Sequence, residues 1–181
     1  MKLHRIVYIL LALLALAACK NNSYAEKRKA EQKKWQEYKT ARNLEISTDS
    51  AYCFNRACPW PENLYFQTYR GAYIRLIKDD TTKRKAKEGQ EVVFRCYSYD
   101  LDGNLVGDNH SHSEFRDGLF FVYTPGSDDP SIGTAWIDAV GCIHHDTHFE
   151  IIIDSKLGET AQREEVFTIR AIVDETSIRN Q

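Results

Sequence analysis

The chain has 181 residues, 43% of them apolar, 12% aromatic and 28% charged, which suits one ordinary folded domain with an appendage and excludes two full-sized enzyme domains or a chain disordered throughout. Its 24 Lys and Arg against 26 Asp and Glu give a formal charge of -2, without the basic excess that a nucleic-acid partner calls for. Four Pro and nine Gly exclude collagen-like and Pro-rich low-complexity sequences.

The N-terminus reads as an address. Lys2 and Arg5 form a positive flank to an apolar run from Ile6 to Leu16 that is too short to span a bilayer as a mature helix. The run ends Leu16-Ala17-Ala18-Cys19, which resembles a bacterial lipobox. That resemblance implies cleavage after Ala18, acylation of Cys19 and a lipid bilayer as the anchor, each buried methylene adding roughly 0.8 kcal/mol. Lys20, Asn21 and Asn22 follow, so no Asp stands directly after Cys19. Under the enteric sorting rule this directs the protein to the outer membrane, within the cell envelope and either periplasm-facing or surface-exposed. An oxidising compartment permits two disulfides among Cys53, Cys58, Cys96 and Cys142, in three connectivities, and Cys53 and Cys58 are the nearest pair in sequence. Their spacing is not C-x-x-C, which argues against a thioredoxin-like redox site.

Tyr24 to Asn43 contains no Gly or Pro and many strong helix formers. Ser23 and Glu26 have the spacing of a capping box, and Tyr24, Trp35 and Tyr38 form a sparse aromatic stripe with which such a helix would dock. Residues 44–70 read as an irregular connector, with Pro59 and Pro61 around Trp60. Within it Glu62 to Gln67 spells ENLYFQ, the recognition sequence of a viral processing protease used to remove tags. Here it is followed by Thr68 and runs on into a strand, so it reads as native sequence. The expected organisation is a signal peptide over 1–18, an acylated Cys with helix and connector over 19–70, and a folded domain over 71–181.

Gly71 to Lys78 reads as a strand, and Gln90 to Leu101 as a longer one. Asp102-Gly103-Asn104 is a hairpin signal, with a short return strand at Leu105-Val106. Gly118 to Thr124, His148 to Asp154 and Glu165 to Asp174 complete the strands. Thr134 to Cys142 is the one helical piece, with Trp136, Ile137 and Val140 as its apolar positions. Strands joined by hairpins around a single helix predict an α+β domain, a curved antiparallel sheet with one short helix packed across it, preceded by the N-terminal helix.

The order of these elements and several motifs resemble the FKBP-type peptidyl-prolyl isomerases over about Gly71 to Val173. The motifs are Gly71-Ala72-Tyr73-Ile74, Gly89-Gln90-Glu91-Val92, the Asp102-Gly103 hairpin, Phe121 to Gly126, Trp136 at the head of the helix ahead of Ile151-Ile152-Ile153, and Val166-Phe167. The whole chain, with its lipobox and N-terminal helix, looks like a diverged group of FKBP-like lipoproteins. The resemblance implies a pocket built from Phe121, Trp136 and Phe167 as the catalytic residues, with Ile132 on the rim and Tyr123 adjacent as substrate contacts. It implies prolyl-containing peptides or protein clients as partners, and no cofactor or metal.

Prolyl isomerisation breaks no bond. Its barrier is the loss of amide resonance, about 18–20 kcal/mol. A dry aromatic pocket lowers that barrier because the twisted amide carries less charge separation than the planar one. The sequence departs from the family where a pocket Tyr is usual, since Cys96 stands there and Tyr97, one residue on, faces the other side of a strand. After the hairpin stand Val106-Gly107 in place of Phe-Asp, and the stretch Gly158 to Arg163 carries no aromatic. These losses keep open a non-catalytic peptide- or protein-binding role. A third reading rests on clustered histidines, His110 and His112 in one group and His144, His145 and His148 in another, with Asp108 and Asp146 beside them, all residue types that bind first-row metals.

Overall fold

The computed structural model describes residues 23–109 and 118–179. The signal-like segment, Cys19, His110 and His112 lie outside the described residues.

Helix α1 (Tyr24–Ala41) starts as its sequence dictates: Ser23 Oγ accepts from the Glu26 N–H at 3.3 Å, and the Glu26 carboxylate accepts from the Ser23 N–H at 2.9 Å. It docks on the domain through more than its aromatic stripe. Trp35 meets Tyr73 with ring centroids 4.9 Å apart and Tyr38 is buried, but Tyr24 is exposed. The inner face also buries Arg28 and Glu31. Glu31 accepts from the Ser155 N–H and Oγ–H and from the Thr168 hydroxyl, each at 2.9 Å, and pairs with Arg28. Arg28 in turn donates to Asp154 at 2.8 Å.

The sheet comprises β1 (Glu45–Ser47), β2 (Leu64–Gln67), β3 (Tyr73–Lys78), β4 (Glu91–Asp100), β5 (Leu105–Asp108), β6 (Leu119–Val122), β7 (His148–Ile153) and β8 (Ile169–Arg179). They are arranged in the order β1-β2-β3-β7-β8-β4-β5, with β6 also on β4. All pairings are antiparallel except β1 with β2, which is parallel, so the sheet is mixed where a purely antiparallel one was expected. Strands β5 and β6 share one edge of β4, at Tyr97–Tyr99 and Glu91–Phe94 respectively, while β8 runs along its other edge.

Residues 44–70 are not an irregular connector. They form β1, the short helix α2 (Ser50–Phe54, capped by the Asp49 carboxylate) and β2, and they place Cys53 and Trp60 in the main hydrophobic core. The ENLYFQ stretch is thereby absorbed: Leu64 and Tyr65 are buried and its backbone pairs with strands on both sides. The sheet therefore runs continuously across residue 70.

Helix α3 (Thr134–Cys142) has the bounds its sequence predicts and buries Ala135, Trp136, Ile137, Ala139 and Val140 in that core. Asp138 ties it to the turn between β2 and β3, accepting from Thr68 Oγ1 at 3.0 Å and Arg70 Nε at 2.7 Å. The turn into α3 requires Gly133, at φ +88°, because a Cβ there would lie 2.6 Å from the Leu157 carbonyl oxygen.

The last strand differs from expectation. Thr160–Glu165 forms a short helix, α4, and Val166 takes a left-handed conformation at φ 60°, so β8 begins only at Ile169 and runs on to Arg179. The Gln162 side chain holds this bend by donating to the carbonyls of Ile153 and Phe167, both at 2.9 Å. Cys53, Cys58, Cys96 and Cys142 are all free thiols, so the Cys53–Cys58 pairing suggested by proximity is not formed.

Candidate functional site

Strand alternation sets the site. On β4, Val92, Phe94 and Cys96 face the α3 side of the sheet and are fully buried. Phe94 is the hub of an aromatic group, with ring centroids 5.4 Å from Trp136, 5.8 Å from Phe121 and 5.4 Å from Phe149. Trp136 and Phe121 thus come together as the sequence suggests, but through Phe94, which the sequence reading did not single out. The alternation of Val92, Phe94 and Cys96 in β4 was the signal that could have found it. Trp136 is 5% exposed and Phe121 3%.

Tyr123 lies at the margin of this group, buried, with its backbone paired to Gly89 and Gln90. Burial pushes its phenol pKa up, helped by the charges of Cys142 and Asp138. Ile132 packs half-buried against the same core. Phe167 does not join them. It precedes β8 and lines a separate cavity of ≈390 Å³ beneath α1, with Ala30, Lys34, Leu101 and Val106. The Cys96 thiol, standing where a pocket Tyr is usual, is pushed up to about 11 by burial, with Asn109 as its 3.9 Å neighbour. It offers no phenolic donor.

The second histidine cluster is spent on structure. His144 Nδ1 is 2.8 Å from the Asp79 carboxylate, which Thr147 also contacts, and His145 Nδ1 accepts from the Ile178 N–H at 3.0 Å. His148 begins β7, and Asp146 pairs with Lys83. Among the described residues, no group of three or more His, Cys, Asp or Glu side chains is placed to hold a metal ion. Among them, too, no helix is long and apolar enough to cross a membrane.

No protein-family model and no curated protein sequence matches the chain. Solved structures do match it. One is a DUF4827 family protein from Parabacteroides distasonis, with TM-score 0.68, 18% identity, and coverage of 88% of this chain and 98% of that one. FkpA from Escherichia coli matches with TM-score 0.57 and 14% identity, over 95% of this chain and 70% of that one. A peptidyl-prolyl cis-trans isomerase from Pseudomonas syringae pv. tomato matches with TM-score 0.53 and 12% identity, over 89% and 97%. The fold is FKBP-like. At these identities the likeness concerns architecture, and function has to be argued from the side chains.

Proposed function

We propose that the chain is a cell-envelope lipoprotein, anchored through acylated Cys19, whose FKBP-like domain binds proline-containing segments of protein clients and isomerises them weakly. The observation that carries this reading is the Trp136–Phe94–Phe121 group, which sets an indole at the head of α3 beside the edge strand β6 within an FKBP-like fold. An X-Pro segment laid against such a group is desolvated, and desolvation favours the twisted amide. Tyr123 and Ile132 flank the same group and would contact the residue preceding proline. Phe167 is too far round the fold to share this surface and is not part of the proposal.

A second reading, client binding without catalysis, is favoured by the burial of the same rings. With Trp136 and Phe121 almost wholly covered and Cys96 in place of a phenol, few groups remain to prefer the twisted amide over the planar one. The two readings part on one experiment. Exchange NMR on an apolar-Pro peptide should show cis–trans interconversion accelerated by the protein, with the acceleration lost in Trp136→Ala and kept in Trp35→Ala. Circular dichroism on each variant establishes that it is folded. Line broadening of the peptide at the uncatalysed exchange rate would establish binding alone. No perturbation of the peptide at high protein concentration would refute both.

A further inference from the structure

The opposite face of the sheet, which α1 covers, holds a second arrangement with a different chemistry. Glu150, Ile152, Arg75 and Arg170 alternate with the core residues of β7, β3 and β8 and so point to the α1 side. Beside the C-terminal end of α1, Glu150, Arg75 and Arg170 border a cavity of ≈570 Å³, also lined by Arg42, Asn43, Glu62, Asn63 and Tyr65. That volume lies within the range of about 300–1,000 Å³ usual for small-molecule sites.

The charges in this cavity do not balance. Glu150 is almost wholly buried and is fully engaged: it accepts from Arg170 Nη1 at 2.6 Å, from Arg75 Nε at 3.1 Å and from the buried Tyr65 phenol. One carboxylate thus faces two guanidiniums whose side chains are only 14% and 21% exposed. Arg42 adds a third cation, whereas the remaining acid, Glu62, lies exposed at the rim. A partly buried positive excess is costly unless an anion completes it. It arises in a chain whose net charge is -2, so it is a local feature and not a consequence of composition.

The cations are also held in place. Arg42 lies over the Tyr38 ring at 4.8 Å and Arg170 over the Tyr99 ring at 5.6 Å. A ring face attracts the cation and restricts where the guanidinium can go. At the mouth, Asn63 Nδ2 donates to the Asn43 carbonyl at 3.0 Å and the Asn63 carbonyl accepts from the Glu45 N–H at 2.7 Å, which bridges the two loops that frame the opening. The site is therefore formed before any ligand arrives.

We propose that this cavity is a binding site for a small organic anion whose oxyanion group, a carboxylate or a phosphate, is received by Arg42 and Arg170 in front of the Arg75–Glu150–Arg170 triad. Planar guanidinium forks match both oxyanions with paired hydrogen bonds. The site lies on the face of the sheet away from Trp136 and is independent of any isomerase activity.

Isothermal titration of the full chain at low ionic strength with inorganic phosphate, glycerol 3-phosphate and citrate, each separately, tests this. Saturable one-to-one binding of at least one probe is expected. Preference for citrate would identify a carboxylate ligand, and preference for the two phosphates a phosphorylated one. Arg42→Glu should weaken that binding at least ten-fold. Lys33→Glu makes the same charge change on an exposed position of α1 outside the cavity and should alter it less than two-fold. Arg42 is itself exposed, so its substitution leaves the core intact. No saturable binding of any probe at millimolar concentration would overturn the proposal, as would equal losses in the two variants, which would mark the attraction as unspecific.

Discussion

Replacing Glu31 by Ala tests whether α1 is an appendage or a structural part of the domain. The Glu31 carboxylate is buried and collects hydrogen bonds from Ser155 N–H, Ser155 Oγ–H and Thr168 Oγ1–H, besides its pairing with Arg28. In Glu31→Ala, Arg28 keeps Asp154 and Ser155 Oγ as partners, so no cation is orphaned. The Ser155 N–H and the Thr168 hydroxyl lose their acceptor, and each buried donor left unpaired costs about 1–3 kcal/mol. Two donors together make about 2–6 kcal/mol; Glu31 also lines the cavity beneath α1, so water can reach part of the vacated space and the total should fall in the lower half of that combined range, about 3 kcal/mol. For a domain of this size, that is a fall in Tm of roughly 10 °C. Urea denaturation followed by far-UV circular dichroism and by tryptophan fluorescence measures it, since Trp35 reports on α1 and Trp60 and Trp136 on the main core. If α1 is integral, both probes shift together. A change below about 1 kcal/mol, or an early transition seen by both probes that leaves the main transition unshifted, would show that α1 undocks without disturbing the sheet. A chain begun at Gly71 makes the same test more severely, because it deletes β1 and β2 and removes Cys53 and Trp60 from the core. It should lose cooperative unfolding, and a fragment that unfolds in one sharp transition would refute the reasoning.

Gly133→Ala should destabilise by about 2–4 kcal/mol, because it combines a positive φ with a Cβ driven into the Leu157–Gly158 backbone, whereas Gly103→Ala, at φ +92° with open space around it, should cost only about 1 kcal/mol. Equal effects in a thermal-melt comparison would mean that the contact does not matter. Stability should also fall as pH rises from about 9 to about 11. The thiols of Cys96 and Cys142 are raised by burial from 9.0 to about 11, so their contribution is complete below the unfolded value and is lost as pH passes through the folded one. Each contributes at most about 3 kcal/mol, and denaturation curves at pH 8 and pH 10.5 should differ less in Cys142→Ala than in wild type.

Local signals in the sequence were reliable where the cause of the structure is local. The capping box at Ser23 and Glu26, the Asp102-Gly103 hairpin and the bounds of α3 follow from contacts within a few residues, and each is found as expected. Two kinds of feature were hidden. The first is pairing between segments distant in sequence: β1 has three residues and no periodicity of its own, and it is a strand only because Leu64–Phe66 lies alongside. The second is backbone punctuation without Gly or Pro. Val166 turns the chain at φ 60° with a β-branched side chain, which propensity argues against, and the Gln162 hydrogen bonds that hold it there carry no sequence signature. The β-prone stretch from Val166 to Val173 therefore read as one strand, which in fact begins at Ile169.

The same displacement explains what was legible of the site. Phe121 and Trp136 were placed by a strand and a helix that both exist, β6 shorter than read at Leu119–Val122 and α3 with the expected bounds, and they meet across Phe94. Phe167 was assigned from the Val166-Phe167 pair, by resemblance to the family's last strand, but that pair precedes β8. In the true register the residue of β8 opposite Cys96 is Val173, which is fully buried in the core beside the aromatic group. Cys96, which stands where the resemblance implies a pocket Tyr, and its partner Val173 thus put two small side chains side by side in this core. Phe94 and Phe149 pack edge-on in the same core, their ring planes 77° apart. An aromatic cluster filled in this way gains stability from the same contacts that would otherwise be offered to a peptide. Loosening the cluster should therefore trade one for the other: Phe94→Leu frees space against the Trp136 ring at a cost of about 1–2 kcal/mol in stability, and on the proposed function it should tighten binding of the apolar-Pro peptide. If the variant is folded and binds the peptide no better than wild type, the Trp136 face is not where clients bind.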